Sequence, residues 1–206
     1  LCSAGTCGGV CSPGTRTCEG VAPLVCSATG AWQSEANCWH TCTGAGVCDQ
    51  NNVECWGQGS SGQTTPDTGI FKVMSASNMH ACGVRASGTG DCWGYDLDGE
   101  STAKPGTFVS IGSGDWHTCG VHTDGTIECW GNNYFGQAAS RPGPFSSVAA
   151  GGQHTCGVRT NGTIECWGLN DAGQATAGAG LYLAVSSGSN FTCGLHTDGT
   201  VECWGQ

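Results

Sequence analysis

Apolar and polar residues alternate on both sides of a Thr-Asp-Gly turn in residues 117–131, which read HTCGVHTDGTIECWG. Alternation with a period of two, interrupted by a glycine-containing turn, predicts a β-hairpin. The pattern returns as HACGVRASGTGDCWG, HTCGVRTNGTIECWG and FTCGLHTDGTVECWG, and in altered form as AGVCDQNNVECWG. The cysteine before each Trp-Gly lies at residue 55, 92, 129, 166 or 203, so the period is 37 residues. The sequence therefore predicts five hairpin repeats.

The turn determines which residues face each other in a hairpin. A three-residue turn at 123–125, with Gly125 in the left-handed conformation, places Cys119 opposite Cys129 and Val121 opposite Ile127. Opposed residues of an antiparallel pair have Cβ atoms about 4.5–5.5 Å apart, which is close to disulfide reach. We therefore expect one disulfide across each hairpin. The pairs with this spacing are Cys82–Cys92, Cys119–Cys129, Cys156–Cys166 and Cys193–Cys203.

The first repeat departs from this spacing. Ala45 stands where the register would put a cysteine, but Cys48 lies seven residues before Cys55. A two-residue turn at Asn51-Asn52 would set Cys48 opposite Cys55, since asparagine tolerates a positive φ. We expect a shortened hairpin with a disulfide between these two cysteines.

Another strand precedes each hairpin, because apolar residues recur there in register. The register positions are Phe71, Phe108, Phe145 and Tyr182, and then Met74, Ile111, Val148 and Val185. On the hairpin face away from the disulfide we expect Gly120 to lie beside Trp130 and allow close stacking on a neighbouring repeat. Short strands repeated at near-forty spacing are typical of a radial β-propeller. The predicted fold class is all-β: a propeller-like array of five hairpin repeats, either open or five-bladed.

The cysteines divide the chain into two parts. Residues 1–40 hold six cysteines and are typical of a small disulfide-rich module, whose connectivity the spacing leaves open. Residues 41–206 form the repeat domain, with hairpins near 46–56, 81–93, 118–130, 155–167 and 192–204. Ten hairpin cysteines leave seven of the 17. Because seven is odd, one is free, pairs with another chain or has lost its partner, and we expect this to be Cys2.

Composition restricts the compartment and the partners. The formal net charge is −10 with only six basic residues, which argues against nucleic acid and against docking on anionic lipid. Cysteines at a fixed repeat spacing, without Cys/His quartets, favour disulfides in an oxidising, extracellular compartment over structural zinc. No apolar run is long enough to span a membrane. The chain starts at Leu1, so we expect a processed protein or a segment of a longer one.

The repeat GxxHTCGVxTDGTIECWGxNxxGQ resembles that of the regulator of chromosome condensation family, over roughly residues 43–206. The shared elements are His-Thr, Asp-Gly, Trp-Gly and the closing Gly-Gln, while cysteines replace two of the family's apolar or small residues. The resemblance implies a β-propeller, most often seven-bladed, that acts as a protein-binding platform. The cysteines make the chain similar to a secreted, disulfide-rich bacterial variant of the family with an N-terminal cysteine-rich module. With five hairpins the chain would form a small ring, an open arc or a segment completed by something else. An open arc exposes strand edges, which favour association with another chain.

Histidines and acidic residues both recur at the repeat period, and each set could be structural or could bind a metal ion. His80, His117 and His154 recur at the repeat period, but Phe191 takes the fourth place, which favours buried hydrogen-bonding histidines over a ring of metal ligands. The acidic row Glu54, Asp91, Glu128, Glu165 and Glu202 is expected to form a solvated face. The stretch YDLDGE at 95–100 is faintly similar to a calcium loop but lacks the distal glutamate. We therefore expect no metal and no cofactor.

Exposed loop positions that break the repeat are better candidates for ligand contacts. The candidates are Tyr95, Asp96, Asp98, Trp116, Tyr134 and Phe135. Aromatic residues on loops suit protein or sugar contacts, although they can equally pack on a neighbouring repeat. No Ser/His/Asp set stands outside the repeat pattern, so we expect no enzyme.

The sequence thus favours a secreted, non-catalytic platform that binds a protein or a glycan. The alternative is a structural subunit that assembles into an extracellular filament or surface layer, which the odd cysteine and the exposed edges would favour.

Overall fold

The computed structural model of the chain describes residues 53–206 and five short strands before them. These strands are β1 (Cys2–Ser3), β2 (Thr6–Cys7), β3 (Arg16–Glu19), β4 (Ala22–Cys26) and β5 (Trp32–Ser34). β1 pairs with β2, placing Cys2 opposite Cys7 in the backbone register, and β3, β4 and β5 form an antiparallel sheet. The predicted boundary after residue 40, residues 46–52 of the first hairpin and the side chain of Cys2 lie outside the described part of the chain.

The chain divides into two compact units, and the second holds the repeats. The first unit is Leu1–Val53 with Thr68–Ile70, and the second is Glu54–Asp67 with Phe71–Gln206. The described residues contain no helix long and apolar enough to cross a bilayer.

Twelve strands of the second unit form four three-stranded antiparallel sheets, which we call blades 1 to 4. In each blade the second strand pairs with the third, as predicted for the hairpin, and also with the first. Blade 1 contains β6 (Phe71–Ala76), β7 (His80–Arg85) and β8 (Gly90–Gly94); blade 2 contains β9 (Phe108–Ser113), β10 (His117–His122) and β11 (Ile127–Gly131); blade 3 contains β12 (Phe145–Ala150), β13 (His154–Arg159) and β14 (Ile164–Gly168); blade 4 contains β15 (Tyr182–Ser187), β16 (Phe191–His196) and β17 (Val201–Gly205).

The hairpin register agrees with the sequence prediction. Cys119 pairs with Cys129 and Val121 with Ile127, and Gly125 closes the turn at φ 84°. A side chain would strain that left-handed conformation, which explains the glycine. All four predicted disulfides of blades 1 to 4 are present, with Cα–Cα distances of 4.0–4.1 Å. The local pattern therefore fixed both the pairing and the disulfides.

The prediction for the first repeat was wrong. Cys55 has a free thiol, and residues 53–58 form no strand. The expected Cys48–Cys55 disulfide is therefore not made. In this structure the described residues contain four stapled hairpins rather than five.

Each inner blade buries both of its faces against neighbours. The face with the disulfide, which we call the outgoing face, packs on the incoming face of the next blade. In blade 2 the outgoing face presents Cys119, Val121 and Ile127, which pack on Phe145, Val148 and Trp167 of blade 3. Blade 1 packs on Phe108, Ile111 and Trp130 of blade 2 in the same way. Apolar burial between successive blades therefore forms the core of this unit.

The expected role of Gly120 needs correction. Trp130 is paired with Thr118, and Gly120 faces Glu128. A Cβ at Gly120 would lie 2.5 Å from Cδ1 of Phe108, well inside contact distance. The glycine therefore makes room for the aromatic ring of the blade's first strand and not for the tryptophan.

Candidate binding surface

Two sets of loops lie on the same side of the blades, which we call the linker side. One set comprises the linkers that follow each third strand, and the other comprises the turns between first and second strands. The backbone N–H of Asn132 in one linker donates to the carbonyl of Trp116 in such a turn, at 2.8 Å. Equivalent bonds join Tyr95 to Met79, Leu169 to Gln153 and Gln206 to Asn190. The candidate residues from the sequence all belong to these loops.

The two candidate aspartates have partners within the protein. Asp96 Oδ1 accepts a hydrogen bond from the backbone N–H of Ser101 at 2.8 Å, which holds the linker in a turn. Asp98 Oδ2 accepts from Asn132 Nδ2 at 3.0 Å and so ties one linker to the next. Both side chains remain exposed. Within the described residues, no three His, Cys, Asp or Glu side chains are grouped to hold a metal ion.

The candidate aromatic residues form two pairs. Tyr95 lies edge-on to Trp116 with ring centroids 6.1 Å apart, joining the linker of blade 1 to the turn of blade 2. Tyr134 lies edge-on to Phe135 at 4.8 Å. The Tyr134 side chain is 85% exposed, whereas Tyr95 and Trp116 are half-buried. Packing on a neighbouring blade thus accounts for the first pair but not for the second.

Leu97 was missed by the sequence reasoning. It lies 37 residues before Tyr134, at the same position of its own linker, and its side chain is 76% exposed. Because the Asp98–Asn132 bond joins the two linkers, Leu97, Tyr134 and Phe135 are apolar groups on adjacent exposed loops. The repeat register would have identified Leu97, because it stands where the next linker has tyrosine.

The recurring histidines are structural, as the sequence favoured. His80, His117 and His154 are fully buried, and the Nε2 of each lies 2.7–2.8 Å from a threonine hydroxyl of the next blade. Each threonine donates its proton to a linker carbonyl oxygen, so the imidazole Nε2–H must be the donor to the threonine. The threonines are Thr118, Thr155 and Thr192.

Burial keeps these imidazoles neutral. Desolvation lowers the pKa of His117 to about 3, with smaller contributions from His154 and His80. Desolvation also lowers the pKa of His80 and of His154 to about 4, although Asp96 and Asp115 oppose the effect at His80. The Nδ1 atoms of His117 and His154 have no hydrogen-bond partner, so a proton there would be a buried, unpaired charge.

The acidic row on the third strands is largely paired. Asp91 binds Arg85, Glu128 lies 3.0 Å from His122, and Glu165 binds Arg159. Glu202 lies 3.3 Å from His196. These cross-strand pairs stabilise the hairpins, each at the weak level usual for partly exposed ion pairs.

The turns between first and second strands converge near the first strands of the blades. Asp115 Oδ2 of blade 2 accepts a hydrogen bond from the Ser189 hydroxyl of blade 4 at 3.1 Å. In blade 3, which lies between blades 2 and 4, the backbone N–H of Gly152 donates to the carbonyl of Ser189. The four first strands line a cavity of about 220 Å³, with Ser75, Ser113 and Ser186 among its walls. Sequence reasoning had not singled out Asp115 or Ser189.

Comparison with known proteins supports repeats of the regulator of chromosome condensation type. The model of the regulator of chromosome condensation (RCC1) repeat matches residues 108–137, 145–174 and 183–206. The first two matches run from the first strand of a blade to its closing Gly-Gln, and the third from within the first strand of blade 4 to Gln206. No curated protein sequence matches the chain.

Solved structures similar to this chain include two receptor ectodomains. The ectodomain of the Physcomitrella patens receptor kinase CR4 is 32% identical over 64% of this chain and 40% of its own, with a TM-score of 0.55. The ectodomain of the Arabidopsis thaliana receptor kinase ACR4 is 24% identical over 69% of this chain and 54% of its own, with a TM-score of 0.56. Yeast RCC1 (Prp20) is 16% identical over 68% of this chain and 45% of its own, with a TM-score of 0.57, which shows the fold alone. The chain thus spans about half the length of these relatives.

Proposed function

We propose that this protein is an extracellular, non-catalytic scaffold that binds a protein partner through the linker side of blades 1 and 2. The observation that carries the proposal is the exposure of Leu97, Tyr134 and Phe135 on two adjacent linkers. The linker of blade 1 contains the buried Glu100 and the linker of blade 2 the buried Gln137. The backbone carbonyl of each accepts a hydrogen bond from a buried threonine hydroxyl of the next blade, which holds the linker in place. Exposed aromatic groups on a preorganised surface are typical of protein-binding sites.

The charge of this surface indicates the chemistry of the partner. Asp96 and Asp98 are exposed beside the aromatic residues, and the whole chain carries a net charge of −10. A partner segment that presents lysine or arginine beside apolar side chains would complement both features. Nucleic acid is a poor fit for the same reason.

The extracellular location rests on two independent features. Four disulfides staple the blades, and such bonds persist in oxidising compartments. The similarity to two receptor ectodomains points in the same direction. A scaffold that keeps its shape outside the cell would need these staples, because each small blade cannot bury a core by itself.

Binding to a panel of cell-surface and secreted ectodomains, displayed singly on a sensor, tests the proposal. For any ectodomain that binds, Leu97→Ser and Tyr134→Ala should each weaken binding about tenfold or more, as hot-spot residues do. Leu181→Ser is the matched control, because Leu181 is also an exposed apolar residue. It lies at the opposite side of the blades, where its carbonyl accepts a hydrogen bond from the backbone N–H of Thr197 in a hairpin turn. Equal effects of the control and the linker variants would contradict the assignment of this surface.

Glycan binding is the second candidate, favoured by the exposed Tyr134 ring, which could stack on a sugar. A sugar array probed with the wild type, with Tyr134→Ala and with Trp116→Ala distinguishes the two. A glycan signal that both variants lose, with no ectodomain bound, would replace the protein partner by a sugar.

A further inference from the structure

The hairpin turn of blade 3 differs from those of blades 2 and 4 by one side chain. Residues 161–163 read Asn-Gly-Thr, whereas the same turns of blades 2 and 4 read Asp-Gly-Thr. Asn161 Oδ1 accepts hydrogen bonds from the backbone N–H of Thr163 at 3.0 Å and from its hydroxyl at 2.8 Å. The turn therefore uses the side-chain oxygen of Asn161 and leaves its amide nitrogen aside.

The turn itself favours a carboxylate at this position. In blade 2, Asp124 Oδ1 accepts the equivalent bonds from the backbone N–H and the hydroxyl of Thr126, at 2.9 and 2.7 Å. These bonds hold the pKa of Asp124 below its ordinary value. Hydrogen bonds to an ionised acceptor are stronger than those to a neutral amide oxygen. Turn geometry therefore does not account for asparagine in blade 3, and what Asn161 adds is an Nδ2 amide group.

This amide is open to other molecules. The side chains of Asn161 and Thr163 are both exposed, and within residues 53–206 Asn161 Nδ2 has no hydrogen-bond partner. Blade 3 has a neighbouring blade on each side, so the turn is exposed with both of its neighbours in place. Asn-X-Ser/Thr, the sequon, is the acceptor sequence for N-linked sugars in secreted proteins.

We propose that Asn161 carries an N-linked glycan that covers the neighbouring side chains of Leu181 and Leu183. The inference rests on the extracellular location proposed for the protein, because only a chain that enters the secretory pathway meets the sugar donor. It does not depend on the linker-side surface, since the turn lies at the opposite side of the blades.

The donor is an oligosaccharide linked to a lipid diphosphate. A bond forms between Asn161 Nδ2 and the anomeric carbon of the first sugar, and the bond from that carbon to the diphosphate oxygen breaks. The lipid diphosphate leaves with the electron pair of the broken bond, and Nδ2 gives up one proton to a base of the transferring enzyme. Nothing is oxidised or reduced.

An apolar hollow lies beside the acceptor. Asn161, Gly162, Leu181 and Leu183 line a cavity of about 440 Å³ between the turn of blade 3 and the first strand of blade 4. Leu181 and Leu183 are 51% and 61% exposed, and a Cβ at Gly162 would lie 3.3 Å from Leu181 Cδ2. A glycan is bulky and solubilising, so a chain of sugars that starts at this rim shields the two leucines.

The second sequon of the chain, Asn190-Phe-Thr, offers an internal comparison. Its Thr192 is fully buried, and the hydroxyl bonds the His154 imidazole and the Gln174 carbonyl. Folding therefore withdraws the hydroxyl of this sequon, whereas Asn161 and Thr163 stay exposed. We expect Asn161 to carry sugar in a larger fraction of molecules than Asn190.

Peptide mapping of the full chain, expressed with a secretory leader in eukaryotic cells and purified from cells and medium, tests the proposal. Treatment with a peptide N-glycosidase in heavy-oxygen water converts each glycosylated asparagine to labelled aspartate. Chymotryptic peptides then assign the label to residue 161 or to residue 190. Most molecules should be labelled at residue 161. Label at residue 190 alone, or at neither residue, would overturn the inference.

Two variants show whether the turn accepts the glycan. Asn161→Asp copies the turns of blades 2 and 4, so it should lose the sugar and still fold. Asp124→Asn in this background creates the same sequon in blade 2 and should acquire a glycan there. A blade 2 turn that stays unmodified would contradict the argument that an exposed turn of this type suffices.

The shielding of the hollow has its own measurement. Asn161→Asp should bind about twofold more of a dye that fluoresces on apolar surfaces. The difference should vanish in a Leu181→Ser, Leu183→Ser background, which removes the apolar groups and keeps the acceptor. An equal increase in both backgrounds would show that the glycan does not cover these leucines.

Failure of this inference is distinguishable from failure of the proposed function. A chain that lacks sugar at Asn161 but binds an ectodomain through Leu97 and Tyr134 would overturn the glycan alone. A chain that carries the glycan but binds no ectodomain would contradict the binding scaffold alone.

Discussion

The Nε2 atom of His117 in blade 2 lies 2.7 Å from the hydroxyl of Thr155 in blade 3, with both side chains fully buried. The same bond joins blade 1 to blade 2 and blade 3 to blade 4. Because the threonine also donates to a linker carbonyl, each bond connects two blades and one linker. Stability and the support of the linker side therefore depend on the same residues.

We expect the His117–Thr155 pair to be strongly coupled. His117→Phe and Thr155→Ala should each lower the free energy of unfolding by about 1–3 kcal/mol, since each leaves a buried polar group without its partner. The double variant places phenylalanine and alanine here, as the repeat has them at Phe191 and Ala81. It should lower the free energy of unfolding by less than the sum of the two single variants. Urea unfolding of the four proteins measures this coupling, and strictly additive losses would contradict it.

Stability should fall with acid in a defined range. The folded histidines have pKa values lowered to about 3 or 4, so below pH 6.5 the unfolded chain binds protons that the folded chain does not. The contribution of these histidines to the free energy of unfolding is thus complete above pH 6.5 and is lost as the pH falls towards 4. At pH 5, which is 1.5 units below the unfolded pKa of 6.5, each histidine lowers the free energy of unfolding by up to about 2 kcal/mol, at about 1.4 kcal/mol per unit.

Thermal melting between pH 7 and pH 4.5 checks this expectation. The slope should be smaller in the His154→Phe, Thr192→Ala double variant, which removes one of the three buried imidazoles. The comparison of the two proteins isolates the imidazole, because every carboxylate is common to both. A melting temperature that is flat from pH 7 to pH 4.5 would show that the imidazoles are not desolvated.

Gly120→Ala should destabilise blade 2 by about 1–3 kcal/mol, because the added Cβ would overlap the Phe108 ring. Replacing the Phe108 ring by the smaller leucine side chain should relieve the overlap with the added Cβ. Gly120→Ala in a Phe108→Leu background should therefore cost less than in the wild type, as measured by urea unfolding. An equal cost in both backgrounds would point to backbone conformation and not to the aromatic ring.

Glu100→Gln should raise the free energy of unfolding by about 1 kcal/mol at neutral pH, since burying an amide costs less than burying a carboxylate. Glu100 is fully buried, and its Oε1 has no hydrogen-bond partner. The equivalent residues Gln63, Gln137 and Gln174 are amides, and the bond from the Asp98 N–H would be kept. A lower stability would mean that the carboxylate has an electrostatic role at the linker side.

The sequence by itself determined the unit of this fold. The recurrence of the motif shows the period of 37 residues, and the four cysteine pairs follow from contacts within each hairpin between residues ten positions apart. In such a hairpin the turn type sets the register, and the register sets which side chains face each other. The sequence also favoured buried, hydrogen-bonding histidines over metal ligands, because Phe191 takes the fourth place in their row.

Only the tertiary structure decided what happens between blades. That Asp115 reaches Ser189 and that Leu97 is exposed on the linker next to that of Tyr134 depends on how successive blades stack. That Gly120 accommodates Phe108 depends on how the aromatic ring of one strand packs on the neighbouring strand of the same blade. The stacking distance comes from side-chain packing across the whole interface, which no residue spacing encodes.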